Sequence, residues 1–249
     1  MIPKVIHYCW FGGREMPTHV LKCIESWKKY CPEYQIIQWN EKNYDIRKSS
    51  YTSRAHKLKK WAFVSDYARL DILYNNGGFY LDTDVELLKS LNNLANNTIY
   101  MGLETNDSIN SGLGMGSEKG HIILKDLLQI YDKMGVEDEL NLVPCVTITT
   151  QYLENKGFVP KNKLQKVGDV LVYPTDFFCP KTFGSNKVRL TENTYSIHHY
   201  DFSWDDSTGI RKVLNIKLIP LKKILKKLII FIGGRELLEQ LRDKRRKRN

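Results

Sequence analysis

The sequence predicts an α/β domain built around a central sheet, and three stretches carry that expectation. Lys4–Trp10 (KVIHYCW) is an apolar run of strand length, closed by Phe11-Gly12-Gly13. Pro17 and Thr18 open a helix to about Tyr30, with Val20, Leu21, Ile24 and Trp27 on one face. Cys31-Pro32 ends it, and Tyr34–Trp39 (YQIIQW) is a second strand. Strand, helix and strand at this spacing is how an α/β nucleotide-binding unit begins. The third stretch, Ser65–Val85, reads as helix, glycine turn and short strand, running into Asp82-Thr83-Asp84.

The other elements follow in order. The polar stretch Asn40–Ser53 reads as a connection. Trp61–Asn75 is a helix because Tyr67, Leu70, Leu73 and Tyr74 recur at helical spacing, and Asn75-Asn76-Gly77-Gly78 ends it. Phe79-Tyr80-Leu81 is a short apolar strand that Glu86–Leu91 continues, and Thr98–Leu103 is another. Ile109–Gly116 (INSGLGMG) is rich in glycine but lacks the order of a Rossmann or Walker loop, so it carries little weight as a phosphate site. His121–Met134 is an amphipathic helix; Val146–Asn155 could be a second, against the preference of its β-branched run. Asp169–Tyr173 is a strand before Pro174, and Thr194–Tyr200 (TYSIHHY) is a late strand carrying two histidines.

At 249 residues the chain can bury one substantial core. Five cysteines, odd in number and without C-x-x-C spacing, argue against a disulfide framework or zinc site and for a reducing compartment. No apolar segment opens the chain, so a signal peptide is not expected. The formal charge of +10 is unevenly placed: residues 211–249 hold 14 Lys/Arg against 3 Asp/Glu, leaving 24 against 25 elsewhere. The organisation expected is a domain over residues 1–210 and a basic tail over 211–249. In that tail Leu218, Leu221, Leu225, Leu228 and Ile232 step by three and four among Lys222, Lys223, Lys226 and Lys227, interrupted by Pro220. The apolar run Leu228–Ile232 is too short to span a bilayer, so an amphipathic helix lying on an anionic membrane surface is the favoured reading. A helix packed on the body with a disordered basic end is the alternative. Nucleic acid is not an expected partner, because the body shows no basic, aromatic pattern suited to reading bases.

The chemistry concentrates at Asp82 and Asp84. A buried strand ending in two carboxylates is costly unless something positive meets them. Two apart on an ideal strand, they would face the same side and could share Mg2+ or Mn2+ with substrate phosphates. An isolated Asp-x-Asp is more often a solvated turn. The glycine turn before it, and Asp66 and Arg69 three apart on one helix face, tip the balance towards a site.

Three ordered signals then carry a resemblance over most of residues 1–204. They are Ile2–Gly12 (IPKVIHYCWFG), Ser65–Arg69 with Gly77–Asp84 (SDYAR…GGFYLDTD), and Ile197–Tyr200 with Ser203-Trp204. Together they are similar to bacterial capsular-polysaccharide and mannosyltransferase-like sugar transferases and, more distantly, to the glucosylating toxins of clostridia. The resemblance implies the GT-A fold, one Rossmann-like domain with a central mixed sheet, here followed by the C-terminal basic amphipathic helix. It implies that Trp10 stacks on the nucleotide base, that Asn40 holds base or ribose, and that Tyr80 abuts the ribose or sugar. Ser65, Asp66 and Arg69 would meet the nucleotide-sugar, Asp66 accepting from sugar hydroxyls and Arg69 neutralising phosphate or the developing charge. Asp82 and Asp84 would hold the metal. Adjacent strand residues face opposite ways, so one of His198 and His199 can reach that metal, and the family pattern favours His198. Ser203 and Trp204 would close over the diphosphate, His7 would pack beneath the site, and Asn110 would lie near the transferred sugar.

The function so implied is metal-dependent (Mn2+ or Mg2+), retaining transfer of a hexose from a nucleotide-sugar, UDP-hexose first, to a polyprenyl-linked oligosaccharide. Its place would be the inner face of the cell membrane, in capsular or exopolysaccharide synthesis. Two rivals stay open: a haloacid-dehalogenase-type phosphatase with Asp82 as nucleophile, and a non-catalytic glycan-binding protein at the membrane surface.

Overall fold

A computed structural model of the chain describes residues 1–136, 140, 142–182 and 187–200. Ser203, Trp204 and the basic tail lie outside the described residues. The parallel half of the sheet is built first. β1 (Val5–Cys9) leads through α1 (Thr18–Tyr30) to β2 (Gln35–Trp39), then through α2 (Ser50–Lys57) and α3 (Trp61–Asn76) to β3 (Gly78–Tyr80). β4 (Val85–Leu87), β5 (Ile99–Thr105), β6 (Ser108–Asn110) and β7 (Met115–Ser117) follow. After them come α4 (Ile122–Val136), α5 (Cys145–Glu154), β8 (Gln165–Val167), β9 (Val170–Tyr173), α6 (Thr175–Phe178) and β10 (Ser196–His198).

The main sheet runs β2-β1-β3-β7-β5-β9-β8, with β6 also on β5. β1 pairs parallel with both β2 and β3, whereas β7 is antiparallel to β3 and to β5. This is a mixed α/β fold with a central mixed sheet. The order at its parallel half has a functional consequence. From β1 the chain crosses to β2 on one side, then returns to β3 on the other side. The first crossover, α1, packs Val20, Ile24 and Trp27 with Ile6, Tyr8 and Phe79. The second, α2 with α3, packs Tyr51, Val64, Leu70 and Leu73 with Cys9 and Tyr80 on the opposite face. β1 and β3 therefore flank a topological switch point, and their carboxyl ends open the crevice where such sheets bind ligands.

Several expected elements come out differently. Asn40–Ser53 is not a plain connection: a short 3-10 turn at Ile46–Lys48 leads into α2, which starts at Ser50. Its polarity hid a helix whose buried face is Tyr51, Thr52 and Ala55. β4 does not continue β3; it forms a separate two-stranded sheet with β10, and Asp82–Asp84 is the turn between. Part of the glycine-rich stretch is strand, since Gly116 lies between Tyr100 and Phe79 in β7 and a Cβ there would meet the Tyr100 ring at 2.5 Å. β8 and α6 were not foreseen, being short, with β8 a partly polar edge strand. All five cysteines are buried, and none is in a disulfide. Among the described residues, no helix is long and apolar enough to cross a membrane.

Beneath the switch point lies His7, as expected. Trp39 Nε1–H donates to its Nδ1 at 3.1 Å, which fixes the proton on Nε2, 3.0 Å from the Gly77 carbonyl. Burial lowers its pKa from 6.5 to about 4, the Gly77 bond offsetting only part of this. An imidazole kept neutral in the fold but charged in the unfolded chain gives the unfolded state the extra proton. Its contribution is therefore complete above about pH 6.5 and falls away as pH drops towards about 4, by up to roughly 3 kcal/mol. We expect the melting temperature of His7→Gln to fall less steeply than that of the wild type across this window, measured by circular dichroism.

Candidate active site

The Asp82–Asp84 turn is held from three sides. Asp82 N–H donates to the Gly112 carbonyl at 2.9 Å, and Val85 N–H closes the turn on Asp82 O at 3.0 Å. From α1, Trp27 Nε1–H donates to Val85 O at 2.7 Å and Ser26 Oγ accepts from Leu87 N–H at 2.9 Å. β10 pairs His198 opposite Val85. The two aspartates are thus fixed by a turn, not by the same-face geometry of an ideal strand.

Arg69 organises the inner wall. Its Nη2 lies 2.9 Å from Asp82 Oδ1 and its Nη1 3.2 Å from Asp66 Oδ1. Nη1 also approaches Ser111 Oγ and Cys145 Sγ, each at 3.4 Å, and the guanidinium carbon sits 4.9 Å over the Tyr80 ring. Burial opposes its charge, but Asp82, Tyr80 and Asp66 outweigh burial and keep the guanidinium protonated. Both terminal nitrogens of Arg69 thus lie on protein groups, in a side chain only 4% exposed. Tyr80, expected beside the ribose or sugar, is buried under the guanidinium.

Asp66 is buried as well. It shares Arg69 Nη1 with Cys145, the first residue of α5. A helix N-terminus suits an anion. Even so, burial raises the Asp66 pKa from 3.8 to about 6; Arg69 works against that rise and Asp82 adds to it.

The outer wall is Asp84 with His198. His198 Nε2 lies 3.3 Å from Asp84 Oδ1. Burial disfavours the imidazolium, but the Asp84 carboxylate overcomes it and raises the His198 pKa well above 6.5. His199 turns the other way, its Nε2 2.9 Å from Glu86 Oε2, so alternation along β10 separates the two histidines. Asp82, Asp84 and His198 each offer a ligand atom, all within 4.8 Å of one another. Two carboxylates and one imidazole suit Mg2+ or Mn2+. His198 Nδ1 is buried without a hydrogen-bond partner, as in a histidine whose partners are incomplete. The donor set fits a divalent cation.

The remaining expected residues sit around this centre with smaller roles. Trp10 follows β1 at the crevice, half-buried, its indole N–H donating to the Arg14 carbonyl at 2.6 Å. Asn40 builds a turn: its Oδ1 accepts from Lys42 N–H at 2.9 Å and its N–H donates to Asn43 Oδ1 at 2.8 Å. Ser65 donates back to the Trp61 carbonyl at 3.1 Å. Asn110 is buried, its Oδ1 accepting from Gly112 N–H at 2.7 Å. Sequence reasoning missed Ser111, Gly112 and Cys145. Gly112 left a signal in the INSGLGMG stretch, though not the expected one. A Cβ there would land on Asp82 Oδ2 and sit 3.1 Å from Arg69 Nη1. It serves close approach to a carboxylate, not to a phosphate.

Residues 17–100 match the family model described as "Glycosyltransferase sugar-binding region containing DXD motif". That stretch runs from the N-cap of α1 into β5 and holds Asp66, Arg69, Asp82 and Asp84. Among curated proteins the chain is similar to inositol phosphoceramide mannosyltransferase 3 of Schizosaccharomyces pombe, 26% identical over 51% of this chain and 36% of that one. It is also similar to an uncharacterized glycosyltransferase of Acanthamoeba polyphaga mimivirus, 26% identical over 73% of this chain and 78% of that one. The chain thus spans about a third of the first relative's length, and most of the second's. Among solved structures the PaToxG glycosyltransferase shares the fold, with a TM-score of 0.50 and 18% identity over 63% of this chain and 70% of that one. The fold is like that of GT-A glycosyltransferases.

Gly112→Ala should therefore disable the cation site without emptying the core. Asp82 must move, and its pairing with Arg69 breaks. The expected reading is Mn2+ affinity reduced by at least about tenfold, by electron paramagnetic resonance titration, with the circular dichroism spectrum retained.

Proposed function

We propose that the protein is a metal-dependent glycosyltransferase using a nucleotide-sugar donor. The observation that carries the reading is the convergence of Asp82, Asp84 and His198 at the carboxyl ends of β1 and β3. A divalent cation bound there would supply the positive charge that a departing nucleoside diphosphate needs. The chain's own residues would do the rest. Asp82, Asp84 and His198 would hold the ion. Arg69 aims Asp82, standing behind the donor rather than touching its phosphates. Trp10 presents an aromatic face at the crevice for the base. Ser203 and Trp204, beyond the described residues, remain proposed contacts to the diphosphate.

In the retaining course favoured here, the bond from the sugar's anomeric carbon to the phosphate oxygen opens as the acceptor oxygen attacks the same face. The departing phosphate takes the acceptor's proton. No separate carboxylate nucleophile is required, which agrees with the pairing of Asp66 with Arg69. The donor proposed is a UDP-hexose, the acceptor a polyprenyl-linked oligosaccharide. The 211–249 tail would hold the enzyme to the anionic inner face of the membrane during capsular or exopolysaccharide synthesis. The mannosyltransferase named among the relatives acts, by its name, on a lipid-linked inositol phosphate, which supports a lipid-borne acceptor.

The phosphatase reading loses ground. Its nucleophile sits on the first strand, whereas Asp82 follows the third and is paired with Arg69.

A panel of nucleotide-sugars incubated with Mn2+ tests the proposal. Hydrolysis or transfer of one donor is expected, abolished by EDTA and lowered at least about 100-fold in Asp84→Asn. Turnover that survives both treatments would refute it. Phosphate trapped covalently on Asp82 would revive the phosphatase.

A further inference from the structure

His198 turns one ring nitrogen to the cation site, and the other is buried. Nε2 is on the Asp84 side, 3.3 Å from Oδ1. Nδ1 has no hydrogen-bond partner among the described residues, in a residue that is 7% exposed. An N–H orphaned in this way costs free energy unless something completes it.

The end of α6 and the residues after β10 come together beside His198. Cys179 caps α6, its N–H donating to the Thr175 carbonyl at 2.8 Å. The α6 segment lies along the β10 segment. Tyr195 N–H donates to Phe177 O at 2.7 Å, and Ser196 Oγ–H to Phe178 O at 3.4 Å. Lys181 Nζ donates to His199 O at 3.0 Å. Cys179 Sγ lies 2.9 Å from Tyr200 Oη, and the Tyr200 ring packs 4.3 Å from the His198 ring between centroids. Tyr200 is held there with φ +61, an unusual conformation for an aromatic residue. The thiol is also near enough to His198 to act on it as a hydrogen-bonding side chain. Among the described residues no hydrogen bond reaches His198 Nδ1, and Tyr200 Oη lies against the sulfur. The sulfur has capacity for it: the thiol S–H is directed at Lys181 O, 3.7 Å away, leaving its lone pairs to accept.

We propose that Cys179 is the positioning residue for His198. With Nε2 turned to a cation, Nδ1–H donates to Cys179 Sγ, while Tyr200 packs the ring into that orientation. A metal-bound histidine commonly donates its second N–H to a fixed acceptor, which sets its tautomer and its aim. Here a thiol beside a tyrosine takes the place usually held by a carboxylate or carbonyl. Cys179 touches neither donor nor cation and acts only through His198. The inference rests on the cation site proposed above.

The test uses the full chain and Mn2+ alone, titrated by electron paramagnetic resonance. Cys179→Val removes the acceptor at similar volume and is expected to weaken Mn2+ binding by about 10- to 100-fold. Cys179→Ser restores an acceptor and should return affinity to within a few-fold of the wild type. Unchanged affinity in Cys179→Val, or an equal loss in Cys179→Ser, overturns the role. A second measurement does not depend on how the variants fold. In the Mg2+-saturated wild type, 15N-imidazole spectra should show the His198 proton on Nδ1, and a proton on Nε2 overturns the inference. If the wild type binds no Mn2+, the cation site itself fails, which separates that failure from a failure of Cys179 alone.

Discussion

The site depends on a buried arginine held between two carboxylates. Arg69 joins Asp66 on its own helix to Asp82 on the turn after β3; the Asp66 contact is buried and the Asp82 contact partly so. Burying such charges unpaired would cost several kcal/mol per ion, so each member obliges the others to stay. That obligation aims Asp82. It also explains why the neighbourhood is so closely specified: Ser111 and Cys145 fill the other side of the guanidinium, Tyr80 lies under it, and Gly112 leaves room for the carboxylate. A polar network of this kind is worth having only when nearly complete. Arg69 Nε is its one buried side-chain nitrogen without a partner among the described residues.

The sheet explains why this network stands at a crevice. α1 and α3 cross on opposite faces, so the ends of β1 and β3 diverge from helices on either side. The turn after β3 is then free to leave the main sheet and pair with β10. One short excursion brings Asp84 to His198 while Asp82 stays with Arg69. The two aspartates answer to different partners, one in the core and one at the rim. A bound ion would join the two halves.

The parts legible in the sequence were those encoded locally. Glycine turn, apolar triplet and Asp-x-Asp sit within a few residues, and β1, α1 and β2 are set by simple periodicity and breakers. Strand alternation said that one of His198 and His199 would reach the site and the family resemblance chose His198; the two side chains meet Asp84 and Glu86 respectively. What was hidden is non-local. The Asp66–Arg69 spacing was readable as a helical pair, but nothing in it announced that Asp82, thirteen residues on, would take the other nitrogen. α3 is buried nearly all round, so its sequence has little of the polar face that marks a surface helix. Cys145 was invisible because its value lies in heading α5, whose β-branched run argued against a helix. Gly112 was read for phosphate chemistry and dismissed, when its meaning was steric.

Charge accounting then bears on what the site holds. Asp66, Asp82 and Asp84 bring three carboxylates against the single guanidinium of Arg69. His198 offers one further positive charge, and holds its proton because Asp84 is beside it. With that imidazolium the cluster is still one negative charge in excess. Asp66 shows the strain, its proton retained to about pH 6 although a guanidinium adjoins it. A divalent cation between Asp82, Asp84 and a neutral His198 would supply two charges where the proton supplies one. It would bring the cluster to balance and free the imidazole to act as a ligand. A nucleoside diphosphate arriving at that cation would bring its own negative charge to it. The same excess of carboxylate is what would make the cluster selective for an ion able to carry a phosphate with it.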